Sequence, residues 1–574
     1  MINIERAVNE KFPSFSQKPN LIRKPTLSIL RKLVNESEIN RFLDQHQDTL
    51  GIDFIDAVFD YFNFSYAASS RDKENIPAHG RVVIIANHPL GSLDGLALLK
   101  LISEVRRDVR IVANDLLTNF DQLESLFIPL DNMTSTSFRR SYKEVINALE
   151  NDEAVIIFPA GEVSRTSPTG IKDGKWRGGF LNFARKTRSP VLPIHINGKN
   201  SALFYSASLL AKPLSTAMLA GEMFKQRNGT LLFRIGEMIP ASELHSDQVA
   251  DKALLKRLKK HLYNLGKARK PFRKRAFVTE KTVAHPEDRQ EIRLELKASQ
   301  LLGETRDSNR IQLCDFDQAP VVMREIGRLR ELTFRKVGEG TGSKRDLDKY
   351  DRYYQHLILW DENQLEIAGA YRLGRGREIL KQYGRQGLYT DELFHYTNAI
   401  TPYLPATVEL GRSFVNPTYW GKASLDYLWQ GIGAYLRHNP DVRYLIGPVT
   451  MSNEFPPALQ AMLVYYYTRY YRGDAQLAEA KRPYPLDPDT EQQLDTQFTG
   501  LDRQAGFELL QQAFTAQNCK VPVLFKQYAS LFEEGGFQLI TFSVDPDFGN
   551  CIDGLFMADL TQMKPSKRKR YLGE

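Results

Sequence analysis

The stretch VVIIANHPLGSLDG, residues 82–95, decides the fold of the first half of this chain. It begins with four consecutive β-branched apolar residues, which is typical of a strand buried on both faces of a sheet. It then breaks at His88 and passes through Gly91 and Gly95, which permit a tight turn and close approach by a substrate. Because open α/β sheets usually display chemistry at strand ends, the stretch predicts both an α/β sheet and a site at its edge.

Further apolar runs alternate with helical periodicity along the rest of the chain, the pattern of α/β architecture. In the first half, strands are expected at RIVAN (110–114), AVIIFPA (154–160), PVLPIHI (190–196) and GTLLFRIG (229–236). In the second half they are expected at IQLCDF (311–316), HLILWD (356–361), EIAGAYRL (366–373), TVELGRSFV (407–415) and YLIGPVTM (444–451), with helices at 321–337 and 424–439. No internal repeat relates the halves, so we expect two different α/β domains.

The length of 574 residues also favours more than one domain. Residues 1–75 show helical spacing of apolar positions and predict an N-terminal helical segment. A first α/β domain is expected over 76–275. Periodicity fades over 276–295, which predicts a linker, and a second α/β domain is expected over 296–574.

The composition is that of an ordinary globular protein, 42% hydrophobic and 25% charged. Three widely spaced cysteines argue against a disulfide framework and fit a reducing cytoplasm. The ten histidines are scattered, so no metal site and no cofactor are expected. The N-terminus carries charges where a signal peptide needs an apolar run, and no apolar stretch is long enough to span a bilayer.

Basic charge is concentrated in one segment. The net charge is +8, and eleven lysines and arginines lie between Lys252 and Arg275, where there is no Asp or Glu. A solvated helix face is one interpretation. A second interpretation is an amphipathic helix on an anionic membrane surface, favoured by leucines that recur at helical spacing: Leu254, Leu255, Leu258, Leu262 and Leu265. Nucleic acid is the weaker option, because no recognisable binding module accompanies the charge.

Two motifs predict the first site. His88 is a candidate general base and Asp94 a carboxylate that orients its imidazole. FPAGEVSR (158–165) again follows an apolar strand and adds Glu162 and Arg165 as candidate substrate-binding residues. The alternatives are a structural histidine and a surface ion pair between Glu162 and Arg165.

The order of these motifs, followed by RGGF (177–180) and PVLPIHING (190–198), resembles the glycerolipid acyltransferase superfamily over residues 60–240. It looks most like the hemolysin-like branch, which includes O-acyltransferases of ornithine-lipid synthesis. Five residues separate His88 from Asp94 where the superfamily has four, and its usual FPEG is FPAG here. The resemblance implies that His88 deprotonates an acceptor hydroxyl, which attacks an acyl thioester.

A series of charged and aromatic residues marks the second half. They are Arg330 and Phe334 on one helix face, Asp348 and Asp351 in DLDKYD, Arg372 in GAYRL, and Glu409 and Arg412 in VELGRSF. Each alone is explained by a helical ion pair, a solvated loop or a strand-edge salt bridge. In this order they resemble the acyl-homoserine-lactone synthases and the related ornithine N-acyltransferase domain over residues 310–455. The resemblance implies an acetyltransferase (GNAT)-like fold.

The chemistry of N-acylation suggests roles for these residues. An amine that attacks a thioester must first lose a proton, and Glu409 is the candidate acceptor. Asp348 and Asp351 are candidates for binding the cationic parts of an amino acid. Arg330 or Arg412 is the candidate partner for its carboxylate.

The tyrosine-rich run EFPPALQAMLVYYYTRYYRG (454–473) has two interpretations. It could line an acyl tunnel or a membrane interface, but ordinary helix packing is favoured.

As a whole the chain resembles the bifunctional ornithine-lipid synthases. This implies that the second domain acylates ornithine from acyl carrier protein and that the first domain esterifies the freed 3-hydroxyl, peripherally at the cytoplasmic face of the inner membrane. The basic segment could also dock the acidic acyl carrier protein. Three alternatives remain: another amino acid such as glycine or lysine, a lysophospholipid acyltransferase with an accessory acyl-carrier-binding domain, and a non-catalytic membrane-associated protein.

Overall fold

The computed structural model describes residues 3–11, 13–114, 120–130, 135–167, 170–210, 218–244, 250–267 and 276–573. The chain divides into two compact units, Met1–His285 and Pro286–Glu574. Both units combine helices with a sheet, as the sequence predicts. None of the helices in the described part of the chain has the length and apolar content needed to cross a bilayer.

The N-terminal unit is built on a seven-stranded sheet with the order β1-β9-β8-β2-β5-β3-β4. All neighbouring strands are parallel except β8 and β9. A separate hairpin joins β6 and β7. The strands are β1 (Ser65–Ala67), β2 (Val82–Ala86), β3 (Val109–Asn114), β4 (Phe127–Leu130), β5 (Ala154–Ile157), β6 (Arg165–Ser167), β7 (Gly170–Lys172), β8 (Val191–Asn197) and β9 (Thr230–Ile235).

Helices cover both faces of this sheet, so the central strand β2 is buried along its whole length. This double burial is why its sequence is uniformly apolar. The helices are α1 (Ile4–Lys11), α2 (Asn20–Val34), α3 (Glu36–Gln45), α4 (Gly51–Phe62), α5 (Ser70–Lys73), α6 (Ser92–Ser103), α7 (Ser135–Glu150), α8 (Gly179–Lys186), α9 (Ala202–Leu210), α10 (Leu219–Lys225) and α11 (Asp251–Leu265).

The predicted N-terminal helical segment, residues 1–75, contains helices α1 to α5 and strand β1, and its described residues are part of this unit. Phe54, Ile55 and Phe59 of α4 are buried in the same core as β2. Strand β1 extends the sheet by pairing with β9. The helical spacing indicated an apolar face correctly, and only the tertiary structure shows that this face covers the sheet.

The predicted linker, residues 276–295, is divided between the two units. Phe277 is buried in the core of the N-terminal unit, and the N–H of Glu280 donates to the carbonyl of Met238 at 3.0 Å. The second unit begins at Pro286, just before the helix Arg289–Ala298. This irregular segment has no helical or strand periodicity, so the sequence pattern gives no sign that it is buried.

Residues 252–265 of the basic segment lie on α11, where three leucines face the core and Leu255 and Leu265 are half-buried. Leu254, Leu258 and Leu262 are 1%, 0% and 0% exposed and pack into the core. The expectation of an apolar face lying on a membrane is therefore wrong for the face that these three leucines form. Residues 268–275 of the segment lie outside the described residues.

The C-terminal unit contains an eight-stranded sheet with the order β10-β11-β12-β13-β15-β16-β19-β18, and β14 pairs separately with β17. Only β15 and β16 are parallel in the large sheet. The strands are β10 (Gln300–Glu304), β11 (Arg310–Asp315), β12 (Gln355–Asp361), β13 (Glu366–Arg375), β14 (Phe394–Tyr396), β15 (Thr407–Val415), β16 (Tyr444–Met451), β17 (Ala478–Ala480), β18 (Phe537–Asp545) and β19 (Cys551–Asp559).

The parallel pairing of β15 with β16 is short. It covers Thr407–Glu409 and Tyr444–Ile446, although both strands continue beyond these residues. Strand β15 is also irregular on its other side, where the register with β13 shifts between Ala370 and Arg372. The sheet is therefore interrupted on both sides of the segment that carries Arg412.

The helices of this unit pack against the large sheet or against one another. They are α12 (Arg289–Ala298), α13 (Pro320–Lys336), α14 (Gly376–Tyr383), α15 (Ser424–His438), α16 (Pro457–Tyr470), α17 (Pro488–Phe498), α18 (Arg503–Ala516), α19 (Val523–Leu531) and α20 (Pro565–Leu572). The two helices predicted at 321–337 and 424–439 correspond to α13 and α15.

The tyrosine-rich run forms α16. Tyr465, Tyr466 and Tyr467 are all buried in the main hydrophobic core of the unit. The favoured interpretation, ordinary packing, is confirmed for these three residues.

Candidate functional sites

The first site lies where β2 ends and α6 begins. Nδ1 of His88 is 3.1 Å from Oδ2 of Asp94, whose side chain is fully buried. Because a carboxylate accepts, Nδ1 carries the proton and Nε2 is left as the basic nitrogen of the ring. The His88 side chain is 19% exposed, so a substrate hydroxyl can approach it. The structure therefore brings together the pair that the sequence predicts.

Asp94 also fixes the turn that carries His88. Its Oδ2 accepts the N–H of Leu90 at 2.8 Å, and its Oδ1 accepts the N–H of Gly95 at 3.0 Å. Asp94 lies in the first turn of α6, where a negative charge is favourable. Gly91, just before the helix, has a φ of +108°, a conformation that side chains rarely adopt. This explains why the turn contains a glycine.

A second buried carboxylate, Asp173, holds the backbone of His88, and the sequence analysis missed it. Its Oδ1 accepts the N–H of His88 at 3.2 Å and the hydroxyl of Ser164 at 2.6 Å. Its Oδ2 accepts the indole N–H of Trp176 at 2.9 Å. Asp173 lies in a loop with no apolar periodicity, so only the fold places it beside β2.

The basic helix α11 supports this loop. Lys259 Nζ donates to the carbonyls of Asp173 and Gly174, both at 2.6 Å. The N–H of Asp173 donates to the hydroxyl of Tyr263 at 2.7 Å. At least one cation of the basic segment therefore has a structural role next to the first site.

The pKa of His88 reflects these surroundings. Burial lowers the pKa of the imidazole, but the carboxylates of Asp94 and Asp173 raise it, and the net direction is upward. The ring also stacks on Phe158, with centroids 4.0 Å apart. A base that is stronger than an ordinary histidine and held in one orientation suits proton removal from a hydroxyl.

Glu162 lies on the loop after β5 and Arg165 begins β6, and the two side chains form an ion pair at 3.4 Å. The Glu162 side chain is 39% exposed and that of Arg165 is 15% exposed. The alternative of a partly exposed ion pair is thus present in the structure. Their predicted contact with substrate stays a prediction.

The second site is built around a buried network of charges. Arg330, on α13, donates from Nη1 to Oδ1 of Asp351 at 2.7 Å. Arg372, on β13, donates from Nη1 to Asp348 at 2.6 Å and to Asp351 at 3.3 Å. The side chains of Arg330, Asp351 and Arg372 are fully buried. No buried charge in this network lacks an opposite charge, because each carboxylate has an arginine partner.

These contacts change the expected roles of three residues. Arg330 and Asp351 bind each other, so neither is free to hold the carboxylate or ammonium group of an amino acid. Arg372 likewise lies among Tyr350, Tyr354 and other rings, with its guanidinium carbon 5.6 and 5.2 Å from those two ring centroids. We assign these charges to the framework of the site.

Glu409 belongs to the same framework. Its Oε1 accepts the N–H of Thr390 at 2.7 Å and the hydroxyl of Thr390 at 2.5 Å. Its Oε2 accepts the N–H of Tyr389 at 3.0 Å and the hydroxyl of Tyr354. Four hydrogen bonds fill a carboxylate that is 1% exposed. The expectation that Glu409 accepts a proton from the amine does not fit this geometry.

Arg412 is the cation of this group that reaches the surface, with 13% of its side chain exposed. It contacts Asp346 at 3.3 Å and Asp348 at 3.6 Å, and donates to the hydroxyl of Tyr389 at 3.1 Å. Its φ is +44° within β15. Such strain in a strand is typical of functional sites. Arg412 therefore remains the candidate for the carboxylate of an amino acid.

Phe334 is buried on α13 and packs against Phe548, with ring centroids 5.1 Å apart. Phe548 in turn lies 4.7 Å from the guanidinium carbon of Arg412. The structure thus places Phe334 behind the site, where it supports the ring that contacts Arg412.

Two further carboxyl groups of this unit were not expected from the sequence, and one of them, Asp553, interacts with Arg412. Asp553, on β19, accepts the hydroxyl of Thr450 at 2.5 Å. Burial, together with the negative charge of Asp545, raises its pKa to about 7. Burial and the charge of Asp553 raise the pKa of Glu339 to about 8. These are pKa values suited to exchanging a proton near neutral pH.

Comparison with known proteins agrees with this two-part construction. The acyltransferase family model matches residues 6–268, and the acetyltransferase (GNAT) domain model matches residues 329–430. The chain is 34% identical to the lyso-glycine lipid O-acyltransferase of Phocaeicola vulgatus, covering 42% of this chain and 86% of that protein.

Two N-acyltransferases are also similar. The glycine N(alpha)-acyltransferase of Bacteroides thetaiotaomicron is 31% identical, over 50% of this chain and 89% of that protein. The L-ornithine N(alpha)-acyltransferase of Brucella abortus is 34% identical, over 21% of this chain and 47% of that protein. The chain therefore belongs to the acyltransferases and is an acyl-transferring enzyme, with an acyltransferase domain followed by a GNAT domain.

Proposed function

We propose that this chain performs two consecutive acylations that produce a two-chain aminolipid. The C-terminal unit transfers a 3-hydroxyacyl group to the amine of an amino acid. The N-terminal unit then esterifies the new lipid's 3-hydroxyl with a second acyl chain. One observation carries the proposal. This chain covers more than four fifths of a relative named for an N-acylation and more than four fifths of a relative named for a lyso-lipid O-acylation.

Glycine is the acceptor that we propose first. The glycine relatives are covered over 89% and 91% of their length, and the lyso-lipid relatives are also named for glycine lipid. Ornithine, which the sequence resemblance implies, is the second candidate. The cluster of Glu339, Asp545 and Asp553 favours it, because these carboxyl groups could accept a second ammonium group.

In the N-terminal unit, Nε2 of His88 removes the proton of the acceptor hydroxyl. The oxygen attacks the thioester carbonyl, the carbon–sulfur bond breaks, and the thiolate leaves with the proton that His88 received. Asp94 holds the ring and stabilises the imidazolium. Asp173 keeps the backbone of His88 in place.

In the C-terminal unit, the amine must lose its proton before attack. We assign this proton to the pair of Asp553 and Glu339, since Glu409 has no lone pair left to offer. Arg412 holds the carboxylate of the amino acid. As the amide bond forms and the carbon–sulfur bond breaks, the second amine proton goes to the departing thiolate. The proton held by Asp553 and Glu339 is then released, so the products are the N-acyl amino acid, the free thiol carrier and one proton.

The thioester donor that we propose is acyl carrier protein, and we propose no other cofactor and no metal. The proposed location is the cytoplasmic face of the inner membrane, as a peripheral protein. A lysophospholipid acyltransferase with an accessory second unit is the alternative that the experiment below excludes or supports.

The test is lipid extraction from a heterologous host that lacks aminolipids, fed in parallel with isotope-labelled glycine and labelled ornithine. The wild type should produce a new two-chain lipid that carries one of the labels. His88→Ala should accumulate the labelled single-chain N-acyl amino acid, and Asp553→Asn should produce little of either. Unlabelled phospholipids with altered acyl chains, without any aminolipid, would instead support the lysophospholipid reading.

A further inference from the structure

Helix α2 presents an apolar face to solvent. Leu21 is 89% exposed, Ile22 53% and Ile29 63%. At 100° per residue these three side chains, with Pro25, occupy one side of the helix, opposite the buried Leu27. Exposed single apolar residues are common, but three large ones on one helix face mark an interaction surface.

The same segment is strongly basic. Residues 17–34 contain five lysines and arginines and no Asp or Glu. Arg23 and Arg31 contact Glu5, and Arg31 also contacts Glu36. The remaining three, Lys18, Lys24 and Lys32, are exposed.

We propose that α2 attaches the protein to an anionic lipid bilayer, with Leu21, Ile22 and Ile29 in the boundary between headgroups and acyl chains. An exposed apolar face flanked by lysines fits this partner, since burial of apolar area and attraction to acidic headgroups act together. A protein partner would instead need acidic groups matched to individual lysines. The inference rests on the proposed function in one respect: a lipid-borne acceptor is expected at such a surface.

Helix α11 does not offer the same combination. Leu254, Leu258 and Leu262 are buried and Leu255 and Leu265 are half-buried, so the helix offers charge but no comparably exposed apolar face. The two basic helices therefore make different predictions in a binding experiment. Only substitution of apolar residues on α2 should weaken attachment while the charge stays constant.

The surface lies close to the first site. Gly221, on α10, packs directly on α2, because a Cβ there would be 2.7 Å from the carbonyl oxygen of Leu33. Leu219, on the same helix α10, borders the turn after His88: a Cβ on Gly91 would be 3.5 Å from it. A bilayer on α2 is therefore separated from the entrance of the His88 site by one helix, a short path for a lipid-borne hydroxyl.

The test is co-sedimentation of the full chain with vesicles of phosphatidylcholine alone or of phosphatidylcholine with phosphatidylglycerol. Wild-type protein should bind the anionic vesicles more tightly. The triple variant Leu21→Ser, Ile22→Ser and Ile29→Ser should lose about tenfold or more in affinity. Lys18→Gln, Lys24→Gln and Lys32→Gln together should lose a similar factor and the preference for anionic lipid.

Matched controls use exposed apolar residues elsewhere. Leu294→Ser and Val523→Ser remove side chains that are 66% and 62% exposed, and both should bind like the wild type. O-acylation of a short-chain acceptor in solution should be retained by the α2 variants, which shows that they fold. If the wild type lacks this activity but binds vesicles through α2, the proposed function is wrong and the membrane-binding role of α2 is still supported.

Two results would overturn the proposal. One is anionic-vesicle binding by the triple serine variant that equals the wild type. The other is loss of binding in Lys252→Gln, Lys256→Gln and Lys260→Gln on α11, with full binding by both α2 variants.

Discussion

Oδ1 of Asp173 accepts a hydrogen bond from the backbone N–H of His88 at 3.2 Å, although 85 residues separate the two along the chain. The same carboxylate raises the pKa of the imidazole and binds Ser164 and Trp176. A single buried charge thus affects both the position of the candidate base and its strength.

Asp173→Asn should shift the pH profile of O-acylation. Neutral His88 is the active form, so the rate falls as pH drops through its pKa. Removing the negative charge lowers that pKa, and the acidic limb should move to lower pH. The measurement is the pH dependence of kcat/KM on a short-chain acceptor. A merely structural role would lower the rate without moving the limb, and Asp173→Glu should move it less than the asparagine variant.

Asp94→Asn should reduce O-acylation by about 10²- to 10⁴-fold, because the amide cannot hold the Nδ1–H tautomer as a carboxylate does. N-acylation should continue, so the single-chain product should accumulate, as is expected for His88→Ala. Both products are quantified by mass spectrometry of extracted lipids. Equal loss of the two activities would contradict the assignment of His88 and Asp94 to one reaction.

Glu409 and Asp553 should respond differently to the loss of their charge. Glu409→Gln replaces an acceptor of backbone and hydroxyl donors, so it should lower the free energy of unfolding by about 1–3 kcal/mol. Asp553→Asn should preserve stability and reduce N-acylation. Urea unfolding and steady-state rates are measured on both variants. A fully stable but inactive Glu409→Gln would restore Glu409 as the proton acceptor.

The rate of N-acylation should rise with pH through the range near 7 to 8 in the wild type, since Asp553 and Glu339 accept protons only when ionised. Deprotonation of the substrate amine also makes the rate rise with pH. A variant is therefore needed to show which group causes the rise. Asp545→Asn removes a negative charge that raises the pKa of Asp553 and should therefore move the limb to lower pH. An identical profile in wild type and Asp545→Asn would exclude Asp553 as the proton acceptor.

Arg330→Met should destabilise the C-terminal unit by about 3–5 kcal/mol, because it leaves Asp351 buried with one partner fewer. The double variant Arg330→Met with Asp351→Leu should recover part of this loss. Thermal unfolding of the four proteins of the cycle gives the coupling between the two residues. Additive effects of the single changes would show that the pair does not act as a unit.

The sequence by itself determined the α/β character of both units, most strand positions, and the pairing of His88 with Asp94. These features are local: apolar runs report burial on both faces, and six residues within one turn cannot lie far apart. It also indicated the charged residues of the second site, because each stands beside a strand or on a helix face.

Only the tertiary structure decided what those charges do. The burial and the hydrogen-bond partners of four residues assign them to the framework of the second site: Arg330, Asp351, Arg372 and Glu409. The fold also places Asp173 at the first site and Asp553 at the second, each from a distant segment of the chain. The same cause decided which basic helix exposes apolar side chains. Packing buries Leu254, Leu258 and Leu262 of α11, whereas Leu21, Ile22 and Ile29 of α2 stay exposed. Amphipathic spacing gives a helix an apolar face, but the sequence pattern does not say whether protein or solvent meets that face.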